Sequence, residues 1–188
     1  MHMAKTLKIA LLIVAFGAIL GTYSVMAYLT DSKTVRNVFT LGGVSIELIE
    51  SNWNPDNARN VGPGQTVSKN PVIKNIGYDS AFVYIKIVVP KVILSNGKVG
   101  PLFTYNIGTD WKEITSKAEE DDTTYTKVYY HTSSLSQGDS TQPLFTEVTV
   151  ANYSPTVTGE QFFHVIGFGI QAETDSDEQT IIEAYDSF

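Results

Sequence analysis

The sequence predicts an all-β protein, a sandwich of short strands finished by one helix at the C-terminus. Three observations carry that expectation. From Tyr28 onward, apolar or alternating runs of strand length are separated by clusters of Gly, Pro, Asn, Asp and Ser, the punctuation of sandwiches and barrels. Helical periodicity is nearly absent until the tail. The 188 residues contain no cysteine, so a core or a neighbouring subunit has to hold the chain together where small secreted domains often use disulfides.

The N-terminus is expected to be removed. Lys5 and Lys8 precede an apolar stretch, Ile9 to Leu20, followed by small and polar residues through Ala27, which is the order of a secretory signal peptide. The stretch is shorter than the roughly 20 apolar residues a membrane-spanning helix needs, so contact with the membrane is expected only transiently, through the signal peptide. Val25-Met26-Ala27 offers the small side chains a signal peptidase requires, and cleavage between Ala27 and Tyr28 would make Tyr28 the new terminus. A type IV pilin would keep its apolar helix and place a glutamate just inside it; Phe16 to Ser24 supplies none. The expected layout is a signal peptide (1–27), an N-terminal segment (28–43) and one sandwich domain (44–188). Losing Lys5 and Lys8 and no acid moves the net charge from −7 to −9, which disfavours nucleic acid and anionic lipid as partners.

Within the domain, Val44, Ile46 and Leu48 alternate with Ser45 and Glu47 and put three apolar side chains on one strand face. Ala81 to Val89, with Lys86 its one charge, reads as a central strand closed by Pro90, which cannot donate to a ladder. Tyr125 to Thr132, Phe145 to Val150 and Phe162 to Glu173 are the further strands. Gly167 and Gly169 inside the last mark a bulge or a close approach of another backbone. Gly62-Pro63-Gly64, Ser95-Asn96-Gly97 and Gln137-Gly138-Asp139 read as turns, and Asn75-Ile76-Gly77 as a turn in which Gly77 takes a positive φ. Asp175 to Phe188 is the helix, with Ser176 as N-cap, Gln179 closing a capping box, and Ile181, Ile182 and Tyr185 on one side.

Several segments, taken in order, resemble a known family. They are Ala27-Tyr28-Leu29-Thr30-Asp31, Asn37-Val38-Phe39-Thr40-Leu41-Gly42, the strand Val44 to Glu50, Asn52-Trp53-Asn54-Pro55 and Gly62-Pro63-Gly64-Gln65-Thr66-Val67. Lys74-Asn75-Ile76-Gly77, Ala81-Phe82-Val83-Tyr84-Ile85, Tyr129-Tyr130, Pro143-Leu144-Phe145 and Ile170-Gln171-Ala172-Glu173 complete the series. No single piece is specific, but their succession over nearly the whole mature chain is similar to the TasA/camelysin family of secreted biofilm-fibre proteins. The region from Val92 to Asp122 matches least.

The resemblance implies a jelly-roll sandwich, export with an accessory signal peptidase, and an extracellular or cell-surface homopolymer built without a cofactor. Subunits of that kind polymerise by donor-strand complementation. The expected donor is Tyr28 to Leu41, with Tyr28, Leu29, Val35, Val38, Phe39 and Leu41 as polymerisation residues and Gly42-Gly43 as the hinge. Burying three or four large apolar side chains of this segment in a partner would give a gross gain of about 5–12 kcal/mol, much of it offset by ordering the segment. The competing expectation is that the segment is an edge strand of its own domain.

Two other function classes are weaker. A zinc metallopeptidase, a description also attached to camelysin, needs about three protein ligands; the mature chain retains only His131 and His164, each on an expected strand, with no H-E-x-x-H helix. A G-x-S-x-G nucleophile elbow is absent. Glu119-Glu120-Asp121-Asp122 lacks the calcium-loop pattern and reads as a solvated loop. Ten tyrosines and nine phenylalanines raise a monomeric adhesin or glycan-binding module, although in an all-β chain aromatics more often form cross-strand pairs and core.

Overall fold

The computed structural model describes residues 43–58, 61–153, 159–172 and 177–186, together with the backbone of 28–30. The signal peptide, Ala27, Val35, Val38, Phe39, Leu41 and Gly42 lie outside the described residues. In chain order the strands are β1 (Tyr28–Thr30), β2 (Ile46–Ile49), β3 (Thr66–Ser68), β4 (Val72–Asn75), β5 (Ala81–Ile93), β6 (Val99–Pro101) and β7 (Phe103–Thr104). They continue with β8 (Trp111–Glu113), β9 (Glu119–Glu120), β10 (Thr124–His131), β11 (Glu147–Val150), β12 (Glu160–Phe162) and β13 (His164–Gln171), and one helix follows, α1 (Glu178–Asp186).

The strands form two layers. One is the sheet β13-β5-β10-β8, lengthened by β6 on β5 and by β9 on β10; the other is made of the pair β2-β4 and the sheet β3-β11-β7. Alternation places Val83, Ile85 and Ile87 of β5 inward, where they join Ile46, Ile73, Phe103 and Val148 in the main core. Each such side chain, fully removed from water, contributes about 1.5–3 kcal/mol. On the outer face Phe82, Tyr84, Val128 and Tyr130 pack under Ile181 of α1 as a second cluster. β5 is therefore buried on both faces, which is why its sequence reads as one continuous apolar run.

β5 is the central strand the sequence predicts, but it runs through Pro90 to Ile93. Its partner on one side changes there: β13 pairs as far as Val88, and β6 begins at Lys91. Pro90 sits between the two ladders, where its missing N–H is not needed, while its carbonyl accepts the Leu102 N–H at 2.8 Å. The last predicted strand is also two pieces, β12 and β13, separated by the buried Phe163. Gly167 and Gly169 mark a close approach: a Cβ on Gly169 would lie 2.6 Å from Ile46 Cγ2 in the facing layer.

The helix expected in the tail is present as Glu178–Asp186. Asp177 accepts the Thr180 N–H through Oδ1 at 2.7 Å and the Gln179 side chain donates to Glu183, while the expected N-cap Ser176 lies outside the described residues. Ile181 is buried, Ile182 and Tyr185 pack at its sides, and the Tyr84 hydroxyl donates to the Ile181 carbonyl at 2.6 Å. Salt bridges from Lys112 to Glu178 and from Lys117 to Asp186 fasten the two helix ends to the sheet. Among the described residues no helix is long and apolar enough to cross a membrane.

Candidate functional site

A candidate docking surface is one edge of the larger sheet. β13 pairs with β5 on one side, and among the described residues no strand lies along its other side. Its inward positions, Val165, Gly167 and Gly169, lie under Val44, Ile46 and Leu48, whereas His164, Ile166, Phe168 and Ile170 are half-buried on the outer face. The two glycines let the facing layer close down on this strand, so the edge is straddled by β2 above and α1 below.

Both ends of that edge touch the N-terminal region. β1 pairs in parallel with β12, in the register Tyr28 to Glu160, Leu29 to Gln161 and Thr30 to Phe162, and β12 leads directly into β13. A parallel partner this short gains little alone, since a stable parallel ladder normally follows a long crossover. Phe162 beside it is 38% exposed and stacks on the His164 ring, with centroids 5.8 Å apart and planes 12° from parallel.

At the far end of β13 the Ala172 N–H donates to Ser80 at 2.8 Å, next to the turn that receives Gly43. The Gly43 N–H donates to Asp79 Oδ2 at 2.8 Å, and the Gly43 carbonyl accepts the Tyr78 N–H at 2.7 Å. Asn75, wholly buried, organises this turn. Its Oδ1 accepts the Gly77 N–H at 2.9 Å, and its amide donates to the Asp79 and Leu135 carbonyls at 2.8 and 2.9 Å. Two expectations change here. Gly77 does not take a positive φ; its lack of a side chain matters because a Cβ would lie 2.2 Å from the Gly43 carbonyl oxygen. Gly43 is held in this turn through both its N–H and its carbonyl, as an anchor and not a hinge.

A further fixed point was not expected from the sequence. Lys69 has no exposed surface, and its ammonium lies 2.9 Å from both oxygens of Glu50, donating to Oε2, and 4.2 Å from the centre of the Trp53 ring. The Asn52 N–H donates to Asn70 Oδ1 at 2.8 Å. These contacts bind the turn after β2 to the start of β4. The short turn at Pro55–Ala58 lies against β1.

The predicted isolated features separate. His131 is buried, stands edge-on to Trp111 with centroids 5.3 Å apart, and its Nδ1 donates to the Ser133 carbonyl at 2.8 Å. His164 lies at the sheet edge described above. Among the described residues no group of three or more His, Asp or Glu side chains comes together in a way that would hold a metal. The acidic run is not wholly a loop: Glu119 and Glu120 form β9 against Tyr125 and Thr126. Asp121 accepts the Thr123 and Thr124 N–H groups at 2.6 Å each, and these bonds together with the Thr124 hydroxyl hold its carboxyl well below the usual carboxylate range. Comparison with protein-family models, curated proteins and solved structures finds no match to this chain.

Proposed function

We propose that the chain is a secreted structural subunit, a jelly-roll sandwich that polymerises into extracellular fibres when the N-terminal strand of one copy docks in parallel on the β12–β13 edge of the next. The observation that supports this reading is the short parallel pairing of β1 with β12, the strand that leads into the edge strand β13. A strand held by so few backbone bonds at a sheet edge exchanges readily between identical chains, because the same ladder forms in either arrangement. The donor strand and the acceptor edge are different surfaces of the subunit. The contact is therefore heterologous, and unless the rotation closes it propagates as an open filament. Backbone bonds supply affinity and the apolar side chains set register, as in other strand-addition systems. Cleavage after Ala27 would free the strand and so couple assembly to export.

A chain without cysteine makes the test direct. Leu29→Cys with Gln161→Cys places one thiol on each of two register-paired positions. In assembled protein, a short bismaleimide should join different chains into a ladder on a denaturing gel. Cross-links confined within single chains at every concentration would show an edge strand of its own domain and remove the fibre reading.

A further inference from the structure

The larger sheet is wider than the layer that faces it. β10 turns Val128 and Tyr130 towards α1 and Tyr125, Lys127 and Tyr129 inward. The facing layer ends at β7, beyond which no described strand follows. The inner face of β10 is thus left uncovered beside the core, and the β5–β6 hairpin rises along one side of the gap. The result is a cavity of about 500 Å³, within the size range of small-molecule sites. Its floor is hydrocarbon, from Ile87, Val89 and Phe103, and the hairpin adds Leu94, Val99 and Pro101 as a wall.

The wall is preformed. Lys91, Val92 and Ile93 pair with Pro101, Gly100 and Val99, and Gly97 makes the tip with φ +80°. The Ser95 N–H donates to the Asn152 carbonyl at 2.9 Å, so the hairpin is also tied to the opposite layer. The charged side chains that line the cavity are of one sign. The chain carries 20 acids against 13 lysines and arginines, yet among the described residues the lining holds two lysines and no carboxylate. Lys127 pairs with Glu113 at 2.9 Å; the Lys98 ammonium has no partner among the described residues. Deeper in, the Tyr105 and Tyr129 hydroxyls lie 3.0 Å apart. Only one of their two protons serves that bond, so the other is available to an acceptor. Burial pushes both phenols up, Tyr129 to about 12, which keeps them neutral donors.

We infer that this cavity is a binding site for a small apolar monocarboxylate, an acyl or aryl acid whose body lies on Ile87, Val89 and Phe103 and whose head group meets Lys98 at the mouth. The site is independent of the β12–β13 edge. A sugar would leave its hydroxyls against the hydrocarbon floor without partners, at a cost that disfavours it. A cationic or neutral amphiphile would forgo the one free charge in the lining.

The test titrates the processed protein with dodecanoate, dodecanol and dodecyltrimethylammonium below their micellar concentrations, by calorimetry and by amide chemical shifts. Dodecanoate should bind saturably, one per chain, with shifts confined to the β5–β6 hairpin, β7 and β10. Lys98→Met should weaken dodecanoate by roughly fivefold and leave dodecanol unchanged. Thr104→Trp, an exposed substitution on the cavity rim, should abolish both while filaments still form. Absence of saturable binding, equal affinity for the cationic amphiphile, or undiminished binding to Thr104→Trp would overturn the assignment. Displacement of dodecanoate by a synthetic peptide of residues 28–41 would overturn it too, and would make the groove a strand acceptor instead.

Discussion

Replacing Gly77 with alanine tests how the turn at Gly43 is held. The added carbon would stand 2.2 Å from the Gly43 carbonyl oxygen and 2.4 Å from the Ser45 nitrogen, where contacts under 3.0 Å are not tolerated. The two backbones have to part, and the shortest backbone bonds across the seam are those most exposed to the strain: Ile76 and Gly77 N–H to the Ser45 carbonyl at 2.8 and 3.0 Å, and Tyr78 N–H to the Gly43 carbonyl at 2.7 Å. At about 1 kcal/mol each, losing two or three costs roughly 2–3 kcal/mol, and disturbance of the buried Val44 adds to it. For a domain of this size that is a fall of about 5–12 °C in melting midpoint. Gly97→Ala is the comparison: its φ is +80° but nothing lies within 4 Å of the new carbon, so only backbone strain of about 1 kcal/mol applies. Thermal and urea unfolding followed by circular dichroism measure both. If Gly77→Ala proved no more damaging than Gly97→Ala, the close approach would not be what fastens the N-terminal junction.

Lys69→Met should destabilise by about 3–5 kcal/mol, because it takes a buried cationic partner from the Glu50 carboxylate, and adding Glu50→Gln should recover much of the loss; urea midpoints of the two variants decide this. The Thr180 N–H holds the Asp177 carboxyl below the usual carboxylate range. A folded value depressed in this way adds stability above the unfolded pKa of about 4 and loses it as pH falls through the folded one. Asp177→Asn keeps the cap at neutral pH but should flatten the melting-point decline on the acid side, and an unchanged acid profile would speak against the cap. Deleting 28–41 from the mature chain should abolish filaments and leave a soluble β-rich monomer. Continued polymerisation, or outright unfolding, would show the segment to be an ordinary strand of its own domain.

The elements that were legible in the sequence are those whose side-chain pattern matches one environment throughout. β5 has strong β-formers buried on both faces, β10 is rich in them and buried from Val128 to His131, and Val44-Ile46-Leu48 alternates cleanly. Turn residues were equally clear, with Gly64, Gly97 and Gly138 all at positive φ. What the pattern hides is partnership. Pro90 ends a strand only if the neighbouring ladder needs its N–H, and a change of partner at that point removes the need. The short strands between Val92 and Asp122 carry too few residues for a period to show, yet they build the hairpin wall and the narrow facing layer that create the cavity. Lys69 gives no local sign of burial; only the arrival of Glu50 and Trp53 from another strand makes its position tolerable. Of the residues expected to serve polymerisation, Tyr28 and Leu29 fall in β1, and the others lie outside the described residues.

Negative-stain microscopy of the secreted chain beginning at Tyr28, as a function of concentration, tests the account most directly. The account predicts unbranched filaments of uniform width whose number grows with concentration and which vanish when 28–41 is deleted. A field of separate particles at every concentration, each the size of one sandwich domain, would contradict it.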